Sequence, residues 1–221
     1  MPAETSMSGD QSVMPALAAA FDDQDAGKAV AALGELLESP APGRLAALWH
    51  PLGFFRLELA GDESRRRYAL HCWPRGERHP AARTLTVHRH AYALESLVID
   101  GELRNRRFGA APGGVRGPLY RAEGGGRLSV LKRTEEVAEL EVVDDRLLGP
   151  GRFYAVSAAD FHESRVAGAG FCVTLRRTSP KVRPGAHALG EFTSPPVLLY
   201  RRTPVADTLV THLMDHIGKQ R

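Results

Sequence analysis

The stretch His88-Arg89-His90-Ala91-Tyr92-Ala93-Leu94-Glu95-Ser96-Leu97-Val98-Ile99-Asp100-Gly101 decides how this chain is read. Side chains alternate between the two faces of a strand, so His88 and His90 point the same way. Glu95 stands an odd number of positions beyond His90. On one unbroken strand it faces away from them. It joins the histidines only if the chain turns at Ala91–Leu94 and a second strand begins at Glu95. The apolar run Leu94–Ile99, closed by Asp100-Gly101, reads as that second strand with its hairpin turn. Two imidazoles and one carboxylate then meet at a strand–turn–strand junction, which is half of a divalent metal site.

A third histidine completes such a site, and His162 is the candidate. It follows the turn Gly149-Pro150-Gly151 and the strand-like Arg152–Val156. His71, beside Trp73 in another strand-like run, is its rival. His212 and His216 are four apart on a helical stretch, but no further ligand follows at a suitable spacing. They read as helix surface. His50, His79 and His187 read as structural or solvated.

Outward from this centre the chain is a series of short strands. The candidates are Phe54–Leu59, Tyr68–Trp73, Thr84–His90, Glu95–Ile99, Glu102–Phe108, Leu119–Ala122, Leu128–Arg133, Val137–Val143, Arg152–Val156, Phe171–Arg177 and Val197–Arg201. Turns fall at Gly61-Asp62, Pro74-Arg75-Gly76, Asp100-Gly101, Pro112-Gly113-Gly114, Gly124-Gly125-Gly126 and Gly149-Pro150-Gly151. This spacing predicts a mainly β barrel or sandwich. Residues 1–13 are polar and small, which predicts a disordered tail. Met14–Phe21 and Ala26–Leu37 carry an apolar helical stripe, and Pro40-Ala41-Pro42-Gly43 stops the second helix. Arg44–Trp49 reads as one more helical turn. This preface, 14–50, is expected to cover a sheet edge of the barrel at 53–201. A C-terminal helix lies within 205–219, with Leu209, Leu213 and Ile217 on one face. The expectation is one domain over 14–221.

The histidine stretch resembles the first motif of the cupins: His-x-His, three or four residues, Glu, six residues, Gly. His88, His90 and Glu95 match it; Gly101 comes one residue early, and Ala82 stands where the motif has a glycine. In the second motif Gly151 and His162 match, while Ser157, Ala159 and Val166 replace its proline, glycine and asparagine. The resemblance spans roughly Phe54 to Arg201. It implies a jelly-roll β-barrel, a metal held by His88, His90, Glu95 and His162, and a homodimer. The layout of Arg56, Cys72-Trp73 and the His-x-His pair is also similar to that of cysteine and other thiol dioxygenases. Those enzymes bind Fe(II) with three histidines and hold a substrate carboxylate with an arginine upstream of the Cys-Trp pair. That likeness gives Arg56 the clamp role. Thr174, Arg176 and Thr178 share one strand face where the thiol dioxygenases carry a Ser-x-His-x-Tyr relay. If that face is inward, Arg176 binds an anionic group.

The 221 residues suffice for a well-buried core. A net charge of +3, with arginine far ahead of lysine and no arginine run interleaved with aromatics, excludes nucleic acid as the expected partner. No stretch reaches the ~18–20 apolar residues of a membrane span, and no signal-peptide pattern opens the chain. The cytoplasm is the expected location. Cys72 and Cys172 read as buried free thiols. Three imidazoles with or without a carboxylate suit Fe(II), Mn(II), Ni(II), Cu(II) or Zn(II) and leave positions open. The favoured expectation is a mononuclear non-haem iron oxygenase acting on a small amino-acid-like or carboxylate substrate. Arg56, Trp73, Tyr92 and Arg176 would hold the substrate, and Glu95 would serve as ligand or acid/base. The alternatives are a Zn or Mn cupin with a non-oxidative lyase, isomerase or rearrangement step, and a non-catalytic small-molecule binder.

Overall fold

The computed structural model describes residues 13–38, 47–74, 85–168 and 170–219. The expected tail up to residue 12, the helix stop at Pro40–Gly43, Arg75-Gly76, His79 and Ala82 lie outside the described residues. Val13 is described; it is the buried N-cap of the first helix and so does not belong to the tail.

The described residues begin with two helices: α1 (Met14–Asp22), with proline in its first turn, and α2 (Ala26–Glu38). Among the described residues twelve strands follow: β1 (Ala47–Trp49), β2 (Phe55–Gly61), β3 (Arg67–Trp73), β4 (His88–Arg89), β5 (Leu94–Asp100), β6 (Leu103–Gly125), β7 (Leu128–Leu148), β8 (Phe153–Val156), β9 (Phe161–Val166), β10 (Cys172–Thr178), β11 (His187–Leu189) and β12 (Val197–Arg201). Helix α3 (Asp207–Gly218) ends the described chain. The strands form two six-stranded antiparallel sheets. The first runs β1-β2-β3-β10-β5-β8 and the second β11-β4-β9-β6-β7-β12, with β11 also pairing β6. The chain is therefore mainly β, as the strand spacing predicts.

The two faces of the first sheet do different things. Leu57, Leu70, Cys72, Leu97, Ile99, Val173 and Leu175 point outward into a core shared with Leu17, Phe21, Leu33, Leu213 and Ile217 of the helices. The helices therefore cover a face, not the edge expected from the sequence. Three amphipathic stripes have enough apolar width to bury a whole sheet face, which an edge does not offer. The other face meets the second sheet. There Phe54, Trp73, Val98 and Cys172 pack with Leu103 and Leu148. Adjacent Cys172 and Val173 enter different cores, and Cys72 lies opposite Val173 in the ladder. The two cysteines thus belong to opposite faces, and both are free.

Other boundaries differ from the sequence reading. Ala47–Trp49 is not a helical turn; it pairs with Phe55–Leu57 as an edge strand. Glu102–Phe108 and Leu119–Ala122 are one continuous strand, as are Leu128–Arg133 and Val137–Val143, together making a long hairpin. Pro112-Gly113-Gly114 does not reverse the chain. Ala110 and Val115 both pair with Leu140, so these residues form a bulge within β6. Gly113 has φ +88°, which suits glycine there. At Asp100-Gly101 the expected turn is present: Gly101 has φ +77°, and a Cβ would lie 2.1 Å from the Phe171 carbonyl oxygen.

Candidate metal centre

The second sheet brings the three histidines together. His88 on β4 lies directly opposite His162 on β9, and His90 follows one residue past the end of β4. The ring centroids are 4.7 Å apart for His88–His90, 4.5 Å for His88–His162 and 5.1 Å for His90–His162. One ligating nitrogen from each lies within 4.8 Å of the others. The Nε2 atoms of His90 and His162 are 3.0 Å apart. Metal–nitrogen bonds of about 2.1 Å spread at roughly 90–110° put two ligand atoms about 3.0–3.4 Å apart, so this spacing fits a shared ion.

The tautomers agree with that fit. The Thr86 carbonyl lies 2.8 Å from His88 Nδ1. A carbonyl only accepts, so Nδ1 carries the proton and Nε2 keeps its lone pair. Asn105 on β6 sits beside His162 Nδ1 at 3.5 Å and donates to Ser164 Oγ at 2.9 Å. Turning that amide over presents its oxygen to Nδ1 and frees His162 Nε2 in the same way. Burial lowers the proton affinity of all three imidazoles, that of His90 and His162 well below the usual value. Neutral imidazole is the form a divalent ion needs. His90 is held from its far side by Tyr92, stacked on it at 4.9 Å and 10°.

Glu95 is not with them. Strand β5 begins at Leu94, one residue earlier than the sequence reading places it, so Leu94 and Ser96 face the histidines. Glu95 faces the helices with Leu97 and Ile99, and Arg177 Nε donates to its Oε2 at 2.6 Å. A one-residue difference in where pairing begins exchanges the faces of the whole strand. The donor set is therefore three neutral histidines, and the role expected for Glu95 as ligand or acid/base is corrected.

Arg56, Trp73, Tyr92 and Arg176, expected to bind substrate, all line one inner cavity of about 50 Å³ with the three histidines. The alternation Thr174–Arg176–Thr178 is inward at Arg176, which is 5% exposed. Its Nη1 donates to the Tyr92 hydroxyl at 3.1 Å. Arg56 is ion-paired to Glu58 at 2.6 Å. His71, the rival ligand, reaches the same cavity but packs against Phe54 at 4.4 Å with the rings tilted by 31°, outside the group that could hold a metal. An outer cavity of about 200 Å³ shares His50, Leu52, Arg56, His88, His90 and Tyr92 with the inner one and adds Tyr200 and Arg202.

Several lining residues escaped the sequence reading. Ser96, Tyr154 and Ser164 all line the inner cavity, where Ser96 Oγ donates to the Leu175 carbonyl at 3.4 Å and Ser164 Oγ accepts from Asn105. Burial raises the Tyr154 phenol above its usual value, keeping it protonated. Ser164 shares its face with His162 by strand parity, a signal that required β9 to be read as a strand. His50, read as bland, stacks flat on Phe54 at 4.4 Å in the β1–β2 turn. Asn105 and Arg202 carry no local signal, because only pairing brings them near. His216, read as helix surface, instead contacts Asp100 at 2.7 Å.

A larger depression of about 610 Å³ lies elsewhere, around Arg104, Arg106, Asp145, Glu163 and Arg165. Its charges are paired with one another, Arg104 and Arg106 with Asp145 and Arg165 with Glu163. The histidines converge on the smaller cavity instead. No protein-family model matches the chain, and no curated protein matches it. Among the described residues no helix is long and apolar enough to cross a membrane.

Proposed function

We propose that this chain is a cupin-type jelly-roll enzyme that uses a divalent metal, Fe(II) by preference, to oxidise a small carboxylate or amino-acid-like substrate. One observation carries the reading. A three-histidine cluster and two arginines face one cavity whose described lining contains no carboxylate. The absence of Glu95 from the donor set brings the cluster closer to the three-histidine pattern of the thiol dioxygenases than its sequence suggested. His88, His90 and His162 would hold the ion, which supplies a redox-active Lewis acid with positions left open.

The protein's own groups bind and orient. The guanidinium of Arg176, with Arg56 beside it, offers a fork to a substrate carboxylate. The Arg176–Tyr92–His90 chain couples that anchor to the metal wall, fixing the distance between bound carboxylate and reacting atoms. Phe54, Trp73 and Leu52 exclude bulk water. The Tyr154 hydroxyl, kept protonated by burial, is a proton-bearing group of the inner wall. The non-oxidative alternative relied on Glu95 as its base, and Glu95 is engaged by Arg177 outside the cavity.

The test is elemental analysis of tag-free protein purified without added metal, beside His90→Ala and His162→Ala. Near-stoichiometric iron lost in both variants, with O₂ uptake on amino or thiol acids, is the expected result. Zinc or manganese lost in both, with turnover under anaerobic conditions, overturns the oxidative reading. A wild type that takes no metal even on reconstitution overturns the metal centre itself.

A further inference from the structure

The cavity holds more positive charge than a single carboxylate neutralises. Three guanidinium groups line its two parts: Arg176 inside, Arg56 in both, and Arg202 in the outer part. Among the described residues only Arg56 of the three has an acidic partner, Glu58. Arg176 is 5% exposed, and its Nε has no hydrogen-bond partner. Arg202 gives Nη1 to the Gly126 carbonyl at 2.9 Å, yet its buried Nε also has no partner. A guanidinium charge inside a protein without a counter-charge is costly, and two of them along the two parts of the cavity point to an anionic ligand.

His50 lines the cavity together with these arginines. The Leu52 amide donates to its Nδ1 at 3.3 Å, which leaves the proton on Nε2. Burial and the nearby charges of Arg202 and Arg56 hold its proton affinity well below the ordinary value. The imidazole is therefore a neutral donor within the lining of both cavity parts. Burial, and then the neighbouring arginine in each case, also lowers Arg56 and Arg202, so the three guanidinium groups sense one another.

We infer that the ligand is a small dicarboxylate, its inner carboxylate held by Arg176 and Arg56 and its outer one by Arg202 and His50. Two carboxylates match the two guanidinium charges that Glu58 leaves uncompensated. The outer volume of about 200 Å³ suits a short diacid and lies below the ~300–1,000 Å³ of drug-sized sites. Arg202 is thereby a specificity-determining residue: it selects for the second acidic group. The inference rests on the anionic-substrate part of the proposed function and not on the metal.

The experiment is calorimetric titration of the full chain, as purified and after chelation, with malonate, succinate and glutarate beside propionate and butyrate. In the wild type one diacid is expected to bind at least about tenfold more tightly than the monoacid of similar length. Arg202→Gln should remove that difference while changing monoacid affinity by less than about twofold. Arg202→Lys should restore part of it. Equal affinity for diacids and monoacids in the wild type overturns the inference, as does discrimination that persists in Arg202→Gln. Absence of binding by every acid, with the wild type folded, overturns it too. A protein that binds no metal but discriminates in the chelated sample separates this inference from the metal reading.

Discussion

Glu95→Gln separates the two faces of β5 in one experiment. If Glu95 touched the histidines, removing its charge would weaken metal retention. In the structure it belongs to the joint between the first sheet and α1. Arg177 is 6% exposed and lies over the Phe21 ring at 5.0 Å, and it also donates to the Ala18 carbonyl at 3.2 Å and to Asp22. The Glu95 side chain is 43% exposed. Solvent therefore screens its pairing, and its loss costs about 0.3–1 kcal/mol. For a chain of this length about 1 kcal/mol moves Tm by roughly 2–4 °C, so Glu95→Gln should lower Tm by about 1–4 °C. Arg177→Met keeps the apolar stem on Phe21 but leaves the buried Ala18 carbonyl without its donor and two carboxylates without a partner. It should cost about 2–4 kcal/mol, or roughly 4–16 °C. Calorimetric melting with parallel metal analysis reads both quantities. Metal content should equal wild type in both variants. Loss of metal in Glu95→Gln with Tm unchanged would refute the reasoning, because it would require β5 to pair one residue out of the register described.

Two further outcomes follow from the same geometry. Asn105→Leu removes the side chain that orients His162 through Nδ1 and should weaken metal affinity about 10–100-fold while the protein stays folded, as read by competition with a chelator. The hydrogen bond from Arg177 holds the Asp22 carboxyl below its usual range, with the charges of Arg177 and Arg66 adding to it. The stability it contributes is present above about pH 4 and lost as the pH falls through the lowered folded value. The Tm advantage of wild type over Asp22→Asn should accordingly be full near pH 6 and close below pH 4; an advantage independent of pH would exclude this pairing.

The mainly β class and the shared side of His88 and His90 are legible locally, and His162 is legible as a candidate beside its rival His71. Period-two runs with turn residues between them specify strands whatever their partners are, and His-x-His on a strand places two imidazoles on one side by local geometry alone. The helical stripes of Met14–Phe21 and Ala26–Leu37 were legible for the same reason, and α1 and α2 extend each by one residue. Long strands interrupted by Pro112-Gly113-Gly114 were not, since a bulge and a turn use the same residues and only pairing with Leu140 distinguishes them. The face of Glu95 was decided by where the ladder of β5 begins. That start was set in turn by the need to bury Leu97 and Ile99 under helices from the two ends of the chain. Tyr154, Arg202 and His50 reach the cavity from three separate segments, Asn105 sits beside His162 from a fourth, and no local pattern marks them. Local periodicity records which way a side chain points relative to its neighbours in sequence. Which of the two faces becomes the cavity is a property of the packed sheets, and only the tertiary structure decides it.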